Sequence, residues 1–387
     1  MRNVLQLNEI SPVVSKIFGD KYAMSKNAEK PEAAIVRSFN MLEYDMPETL
    51  LCVARAGAGV NNIPIDACSK KGIVVFNTPG ANANAVKELV LCALLLSSRK
   101  IIPAIDWART LKGKNEEVPK LVEKGKGEFV GGEILGKKLG VVGLGAIGAL
   151  VANAAIELGM TVYGYDPYIS IDGAWNLSNF VRRETDLANL FRECDYISLH
   201  VPYNANTKNL IDSEALAKMK QDVCIINCSR AELVNNKDIL AALEAGKVAR
   251  YVTDFPTDDL LNVENVVAIP HLGASTPEAE DNCAYMAAKQ TVDFLENGNV
   301  INSVNFGNVS MARVGKCRIT VIHENIKAML TNLTDIISAV KVNIGNMISQ
   351  SRGDFAYTIL DLDDDISEVE LKKLRAYPGV IKVRAIR

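Results

Sequence analysis

Residues 137–148 read KKLGVVGLGAIG, and this stretch decides the fold of the central part of the chain. A short apolar run is followed by three glycines in the spacing GxGxxG, in which a strand turns tightly into a helix. The pattern predicts a strand through the apolar run, a helix over residues 146–158 and a second strand, TVYGY, that is followed by Asp166.

Each conspicuous residue of this segment suits a dinucleotide. Gly143 permits the tight turn, Gly145 lets the backbone approach a pyrophosphate, and Gly148 lets helix and strand pack closely. The helix N-terminus offers NH groups and a positive dipole to the anion. Asp166 can accept hydrogen bonds from a ribose and disfavours a 2′-phosphate, so we expect NAD rather than NADP. The alternative is a glycine-rich turn that serves packing alone.

The rest of the chain predicts an α/β protein of two or three domains. Its 387 residues are 48% hydrophobic, and apolar strands alternate with helical segments on both sides of the glycine turn. A helix over residues 82–99 is nearly apolar all round, which predicts burial between layers. Residues 110–133 are rich in Lys, Glu and Gly and indicate a surface crossover. From residue 316 the pattern changes to a small βαββαβ-like module.

Composition also excludes several classes of function. A net charge of −3 without a long basic block argues against nucleic acid or an anionic membrane as the partner. The longest uncharged apolar stretch, residues 89–98, is too short to cross a bilayer. The first residues lack the features of a signal peptide. Eight cysteines occur without a CxxC pair, which indicates a reduced, cytoplasmic protein and no metal site.

Candidate catalytic residues follow three strands of the central part. His271, one of only three histidines, is the candidate acid or base for a hydride-transfer reaction. Arg230 can bind a carboxylate bidentately and polarise the adjacent carbonyl. An acid from the loop over residues 253–259 could orient the histidine. The alternatives are a structural histidine, a surface ion pair of the arginine, and a solvated acidic turn.

Six motifs in order along the chain resemble the D-isomer-specific 2-hydroxyacid dehydrogenases. They are RAGAGVNNI at 55–63, NTPGAN at 77–82, VVGLGAIG at 141–148, DYISLHVP at 195–202, INCSRAELV at 226–234 and PHLGAST at 270–276. The resemblance implies a flavodoxin-like substrate domain of residues 1–98 and 278–305, an inserted Rossmann NAD domain of residues 99–277, and an active site in the cleft between them.

The resemblance also implies roles for individual residues. Arg230 would bind the substrate carboxylate, and His271 would be the acid/base. Besides the glycine turn, the cofactor would be contacted by Ile147, Gly148, Asp166, Cys228, Ser229, Arg230, Asp254, His271, Gly273 and Ala274. The family carries a glutamate as third catalytic residue, whereas this chain is one residue shorter there and offers Asp258, or Asp259 beside it.

Basic residues of the N-terminal part bear on the substrate. Arg37, Arg55 with the adjoining Ala56 and Gly57, and Lys126 match positions that handle phosphate in one branch of the family. A phosphorylated 2-hydroxyacid needs more cationic donors than a carboxylate alone. The alternative is that the two arginines are solvated charges at strand ends.

Residues 316–387 resemble an ACT domain, a regulatory module of amino-acid biosynthesis. In the version of this domain that the chain resembles, the residues that match His323, Asn325 and Asn343 bind L-serine between paired ACT domains. The resemblance therefore implies a homo-oligomer, either a dimer or a tetramer. The Arg-Pro-Gly of that version is Ile326-Lys327-Ala328 here, which leaves serine inhibition open.

The predicted reaction is NAD-dependent oxidation of D-3-phosphoglycerate to 3-phosphohydroxypyruvate in serine biosynthesis. The rival within the family is a glyoxylate or hydroxypyruvate reductase without phosphate specificity. The rival of another class is an NAD(H)-sensing interaction protein on the same scaffold. Together Arg230 and His271 favour an enzyme, since a scaffold has no chemical need for both.

Overall fold

The structure is a computed structural model that describes all 387 residues apart from the side chain of Asp172. The strands are β1 (Arg2–Leu7), β2 (Tyr22–Ser25), β3 (Ala33–Val36), β4 (Cys52–Arg55), β5 (Val74–Phe76), β6 (Lys138–Val142), β7 (Thr161–Tyr165), β8 (Arg182–Arg183), β9 (Tyr196–Leu199), β10 (Val223–Asn227), β11 (Val248–Thr253), β12 (Val266–Ala268), β13 (Cys317–Glu324), β14 (Ile344–Arg352), β15 (Phe355–Leu362) and β16 (Val380–Ile386). The helices are α1 (Val14–Phe18), α2 (Ile65–Lys70), α3 (Ala83–Ser98), α4 (Ile101–Thr110), α5 (Val118–Gly125), α6 (Ala146–Glu157), α7 (Ile171–Trp175), α8 (Leu187–Glu193), α9 (Ser213–Lys218), α10 (Asn236–Glu244), α11 (Pro277–Asn297), α12 (Met329–Ser338) and α13 (Glu368–Arg375).

The chain forms two compact units, residues 1–82 with 277–387, and residues 83–276. The first unit contains five parallel strands in the order β2-β1-β3-β4-β5, which is the flavodoxin-like order. Strands β3 and β4 are almost wholly buried, as expected of strands covered on both faces. Helix α11 packs its alanine-rich face into the same core.

The second unit contains seven parallel strands in the order β12-β11-β10-β9-β6-β7-β8. The strand order reverses at β6, with β7 on one side and β9 on the other. Doubly wound sheets bind ligands outside the carboxyl ends of the strands at such a reversal. The glycine turn follows β6 directly, so the predicted Rossmann fold and the position of its fingerprint are confirmed.

Residues 316–387 form the predicted βαββαβ module, an antiparallel sheet in the order β14-β15-β13-β16 with α12 and α13. The module belongs to the first unit and packs on the end of α11. Arg384 donates hydrogen bonds to the carbonyls of Phe294 (3.2 Å) and Leu295 (2.9 Å). Because carbonyls near a helix C-terminus carry partial negative charge, a cation is favourable there.

A buried ion pair reinforces this attachment. Arg318 and Asp361, 0% and 1% exposed, form a bidentate pair with distances of 2.6 and 2.8 Å. The remaining Nη1 group of Arg318 donates to the carbonyls of Asn297 (2.8 Å) and Met311 (3.0 Å). The guanidinium therefore ties the C-terminal sheet to the segment that leads into it. The predicted three-domain division of the chain stays a prediction.

Of two predictions for the segment after residue 82, one differs from the structure and one agrees with it. Helix α3 is not buried all round, because Leu95 is 46% exposed while Val90 and Leu94 face the core. Its hydrophobic sequence therefore overstated its burial. The predicted surface crossover at residues 110–133 is confirmed in character, although it contains helix α5; neither α5 nor the preceding α4 has a buried residue.

Candidate active site

The glycine turn after β6 has the geometry that a pyrophosphate requires. Gly143 has a φ of 91°, and a Cβ atom there would lie 2.6 Å from the His200 carbonyl oxygen. A Cβ atom on Gly148 would collide with the Gly143 carbonyl oxygen, so this glycine is needed for close helix–strand packing. At Gly145, the N-cap of α6, a Cβ atom would meet nothing within 4 Å among the described residues. The turn therefore leaves open space in front of the helix N-terminus, which fits a dinucleotide phosphate.

Asp166 follows β7 and braces this turn. Its Oδ2 atom accepts a hydrogen bond from the Leu144 N–H (2.9 Å), and its Oδ1 atom accepts one from the Tyr168 N–H (2.8 Å). The half-buried carboxylate keeps lone pairs for the hydroxyls of a ribose. The predicted residues Ile147 and Gly148 lie on the first turn of α6, beside the same space.

A second carboxylate, that of Asp254, holds the loop that carries the predicted acid/base. Asp254 follows β11 and is 1% exposed. Its carboxylate accepts hydrogen bonds from the N–H groups of Leu272 (2.7 Å) and Gly273 (2.8 Å). The His271 N–H donates to the Asp254 carbonyl (3.1 Å), and His271 has a φ of 54°, which is unusual for a residue with a side chain. Asp254 therefore determines the path of the turn from His271 to Ala274.

The His271 side chain is exposed and packs against one aromatic ring. The ring centres of His271 and Phe255 lie 4.8 Å apart at an angle of 52°. Phe255 was not singled out from the sequence, although it stands next to Asp254. Within the described residues, no hydrogen bond or ion pair joins His271 to Asp258 or Asp259, which are exposed in a 3-10 turn. Their assignment as the third catalytic residue stays a prediction.

Arg230 is exposed and leaves most of its donors available. Its Nη1 atom donates to the Ser229 carbonyl (2.6 Å), and no described carboxylate lies within ion-pair distance of its guanidinium. The alternative of a surface ion pair is therefore not what the structure shows. Asn227, at the end of β10 and 0% exposed, donates to the Arg230 carbonyl (2.8 Å) and accepts from the Ser229 N–H (3.1 Å). This buried amide, which sequence reasoning missed, fixes the backbone that presents Arg230.

The predicted cofactor residues Cys228 and Ser229 directly precede Arg230 in this loop, and their contact with the cofactor stays a prediction. Ser229 donates from its hydroxyl to the Leu199 carbonyl (2.6 Å) of the adjacent strand. Cys228 is buried, and its burial raises the pKa of the thiol to about 12, so it stays protonated.

His200, which follows β9, shares a 2.8 Å hydrogen bond between Nε2 and the Ser198 hydroxyl, while its Nδ1 is buried without a partner. Burial lowers the pKa of His200 to about 4, so this histidine is neutral at physiological pH.

The predicted substrate residues fall into the two units. In the first unit the Arg55 Nε atom donates to the Arg37 carbonyl (3.2 Å), so the structure brings these arginines together. Arg37 pairs with Glu280 at 2.7 Å, and the Arg55 guanidinium lies against Gly57, where a Cβ atom would be 2.5 Å from its Nη1. Ala56, which lies between Arg55 and Gly57 in the sequence, is buried. Lys126, in the second unit, forms an exposed ion pair with Glu123 at 2.5 Å.

The C-terminal module contains a cavity of about 390 Å³ that includes two of the three predicted effector residues, His323 and Asn325. His323 is 3% exposed, with Nδ1 at 2.8 Å from the Glu324 carbonyl and Nε2 at 2.9 Å from the Thr358 hydroxyl. Asn343 does not line this cavity and donates instead to Asp363 (2.7 Å). Within one copy, therefore, the three residues do not form a single site.

Ala328 shows the effect of the sequence departure in this module. It precedes α12 with a φ of 60°, in the left-handed region. Glycine adopts this conformation without strain, whereas alanine is held there at a cost of roughly 1 kcal/mol. The backbone path thus persists although the residue that favours it is absent.

A twisted parallel sheet with a dinucleotide turn, an exposed histidine and an available arginine defines a nicotinamide-dependent dehydrogenase. No group of three or more metal-binding side chains occurs in the described part of the chain. No helix among the described residues has the length and apolar character needed to span a membrane.

Comparisons with known proteins agree with this class. Residues 92–273 match the model of the D-isomer specific 2-hydroxyacid dehydrogenase, NAD binding domain. D-3-phosphoglycerate dehydrogenase of Escherichia coli K12 is 34% identical over 352 residues, which cover 88% of this chain and 82% of the relative. The enzyme of the same name from Haemophilus influenzae is 33% identical over 366 residues, 91% and 85% of the two chains.

Solved structures give the same result. The NAD⁺-bound 3-phosphoglycerate dehydrogenase of Entamoeba histolytica is 28% identical, with a TM-score of 0.60 over 79% of this chain and 98% of that one. D-mandelate dehydrogenase of Rhodotorula graminis shares the fold, with a TM-score of 0.67 at 24% identity over 80% and 98% of the chains. This chain belongs to the D-isomer specific 2-hydroxyacid dehydrogenase family. Its cofactor is NAD, which confirms the sequence prediction.

Proposed function

We propose that this enzyme oxidises D-3-phosphoglycerate to 3-phosphohydroxypyruvate with NAD. Relatives named D-3-phosphoglycerate dehydrogenase match from bacteria, an archaeon and primates, at 33–34% identity. The observation that carries the proposal is the position of Arg37 and Arg55 at the ends of neighbouring strands of the first unit, where the Arg55 Nε atom donates to the Arg37 backbone carbonyl. Arg37 follows β3 and Arg55 ends the adjacent strand β4, so both residues can contribute the cationic donors that a phosphate needs beyond those for a carboxylate.

In the proposed mechanism Arg230 binds the C1 carboxylate and the C2 oxygen. Its fork of N–H donors matches a carboxylate bidentately, and Asn227 keeps the backbone of the arginine in place. His271 removes the proton of the C2 hydroxyl, while Asp254 holds the histidine loop through two N–H groups. NAD, held by the glycine turn and Asp166, supplies the hydride acceptor when it is bound. Asp258 or Asp259 orients the histidine.

We also propose a homo-oligomer, a dimer or tetramer, with a serine site between paired C-terminal modules. The position of Asn343 outside the cavity of His323 and Asn325 supports a site completed by a second copy. The eight free thiols, seven of them buried, and the similarity to D-3-phosphoglycerate dehydrogenases support a cytoplasmic location.

The decisive test measures NADH oxidation with 3-phosphohydroxypyruvate, glyoxylate and hydroxypyruvate in parallel. We expect the highest kcat/KM with 3-phosphohydroxypyruvate. A preference for glyoxylate would overturn the substrate assignment, and tight NADH binding without any turnover would favour an interaction protein. The variant H271A should lose at least about a hundredfold in kcat while binding NADH normally, because it removes only the proton acceptor.

A further inference from the structure

A carboxylate contacts one of the two arginines that the proposed function assigns to a phosphate. It belongs to Glu280, in the first turn of α11, the helix that packs on β3 and β4 in the first unit. The Glu280 Oε1 atom lies 2.7 Å from the Arg37 Nη1 atom, and the two side chains are 42% and 38% exposed. The contact is therefore a half-exposed ion pair within one unit of the chain.

The second arginine belongs to the same group of charges. Arg55 ends β4, and its Nε atom donates to the backbone carbonyl of Arg37 at 3.2 Å. Burial raises the pKa of the Cys283 thiol, about one helical turn after Glu280, while the charges of Arg37 and Arg55 lower this pKa and the charge of Glu280 raises it. The three charged side chains therefore lie within electrostatic range of one buried sulfur, and two of them are positive and one is negative.

The negative charge of Glu280 opposes the binding of a phosphate at these arginines. A phosphate monoester carries nearly two negative charges at neutral pH. A guanidinium has five N–H donors, so a phosphate could bind Arg37 beside Glu280, but it would then lie within about 6 Å of the carboxylate, where like charges repel. If the phosphate displaced Glu280 instead, the ion pair at 2.7 Å would be lost. Both routes make phosphate binding weaker than it would be beside a neutral residue.

We propose that Glu280 is a specificity-determining residue, which limits the preference of this enzyme for a phosphorylated 2-oxoacid over the unphosphorylated analogue. The inference rests on the proposed function, because it assumes that Arg37 and Arg55 receive the phosphate. Hydroxypyruvate differs from 3-phosphohydroxypyruvate only by the phosphate group, so it meets neither the repulsion nor the loss of the ion pair. The carboxylate therefore acts on the ratio of the two activities.

The test measures NADH oxidation by the wild type and by E280Q, with 3-phosphohydroxypyruvate and hydroxypyruvate, at low ionic strength. Glutamine keeps an acceptor oxygen for Arg37 and removes the charge. We expect kcat/KM for 3-phosphohydroxypyruvate to rise about fivefold, mainly through a lower KM, and kcat/KM for hydroxypyruvate to stay within about twofold. The matched control E278Q removes an exposed carboxylate two residues earlier, on another face of α11, and should leave the ratio unchanged.

Ionic strength gives a second readout, which a change in packing would not alter. Charges are screened over about 10 Å at 0.1 M salt and about 3 Å at 1 M salt. The gain from E280Q should therefore shrink toward the wild-type value at 1 M salt. The variant E280D keeps the charge and should keep the wild-type ratio of the two activities within about twofold.

The outcomes separate this inference from the proposed function. If the wild type turns over 3-phosphohydroxypyruvate but E280Q shows the same or a weaker preference for it, Glu280 does not limit specificity and the inference is wrong, while the proposed function stands. A gain in E280Q that persists at 1 M salt would show a steric cause and would overturn the inference as well. A wild type that does not use 3-phosphohydroxypyruvate would overturn both.

Discussion

The role of Asp254 can be tested by a single-atom change, D254N. In the wild type both carboxylate oxygens accept a backbone N–H, from Leu272 at 2.7 Å and from Gly273 at 2.8 Å. An asparagine has one acceptor oxygen and one NH₂ group, so at least one of these N–H groups would face another donor. The side chain is 1% exposed, so water cannot readily replace the lost contact.

The size of the effect follows from this geometry. One unsatisfied buried donor costs about 1–3 kcal/mol, and a charge-assisted bond is replaced by a neutral one in addition. For a unit of this size the loss corresponds to a decrease in Tm of roughly 3–10 °C. Because the affected N–H groups directly follow His271, we expect the histidine to move. A displacement near 1 Å costs about a hundredfold in rate.

The assay combines thermal unfolding, steady-state kinetics with 3-phosphohydroxypyruvate, and NADH titration. D254N should lower kcat far more than it changes the Kd for NADH, since its effect acts through the histidine loop. The control D106N removes an exposed carboxylate of the same unit that pairs only with Arg109 at 2.9 Å, and it should behave like the wild type. If D254N weakens NADH binding and leaves kcat unchanged, Asp254 is a cofactor ligand and the positioning role is wrong.

Three further variants address other parts of the molecule. R230K should reduce kcat/KM about 10- to 100-fold with an unchanged Kd for NADH, because a lysine cannot reproduce the bidentate contact; an equal loss in both constants would place Arg230 at the cofactor. His200 has a pKa of about 4 in the folded protein and 6.5 ordinarily, so between these pH values the unfolded chain binds a proton that the folded protein excludes. The free energy of unfolding is therefore at its full value above pH 6.5 and falls by about 3 kcal/mol as the pH drops toward 4. The free energy of unfolding measured with urea at the two ends of this pH range should differ less for H200Q than for the wild type. An identical pH dependence of the two proteins would contradict this. R318M leaves the Asp361 carboxylate buried and unpaired and should lower the free energy of unfolding by about 3–5 kcal/mol, with most of it regained in R318M/D361L; a double variant no more stable than the single one would argue against the ion pair as the cause.

Local patterns in the sequence predicted much of the fold. The glycine spacing and Asp166 gave the strand, turn and helix of the cofactor site because these features are set by neighbours along the chain. The composition of residues 82–99 misled about burial, since hydrophobicity alone does not tell which face of a helix meets the core. Helix α5 of the surface crossover was missed because the Lys, Glu and Gly content of residues 110–133 was given more weight than the helical spacing of Val118, Leu121 and Val122.

The residues of the candidate site also include some that the sequence indicated and some that it did not. Arg230 and His271 could be singled out as candidates because each follows a strand within a recognisable motif, and their catalytic roles stay predictions. Asn227 and Phe255 were missed, although both lie next to residues that were singled out. Their roles depend on contacts across a turn, such as the 2.8 Å bond from Asn227 to the Arg230 carbonyl, and a sequence does not show such contacts.

By itself, the sequence determined the parallel sheets, the glycine turn for NAD and the residue types available for proton and carboxylate handling. These properties arise from local sterics and from periodic hydrophobicity, which the linear order of residues encodes directly. Only the tertiary structure decided that Asp254 holds the histidine loop, that Arg318 ties the C-terminal module to the end of α11, and that Glu280 pairs with Arg37. Burial and hydrogen-bond partnership depend on residues distant in sequence that become neighbours only when the chain has packed.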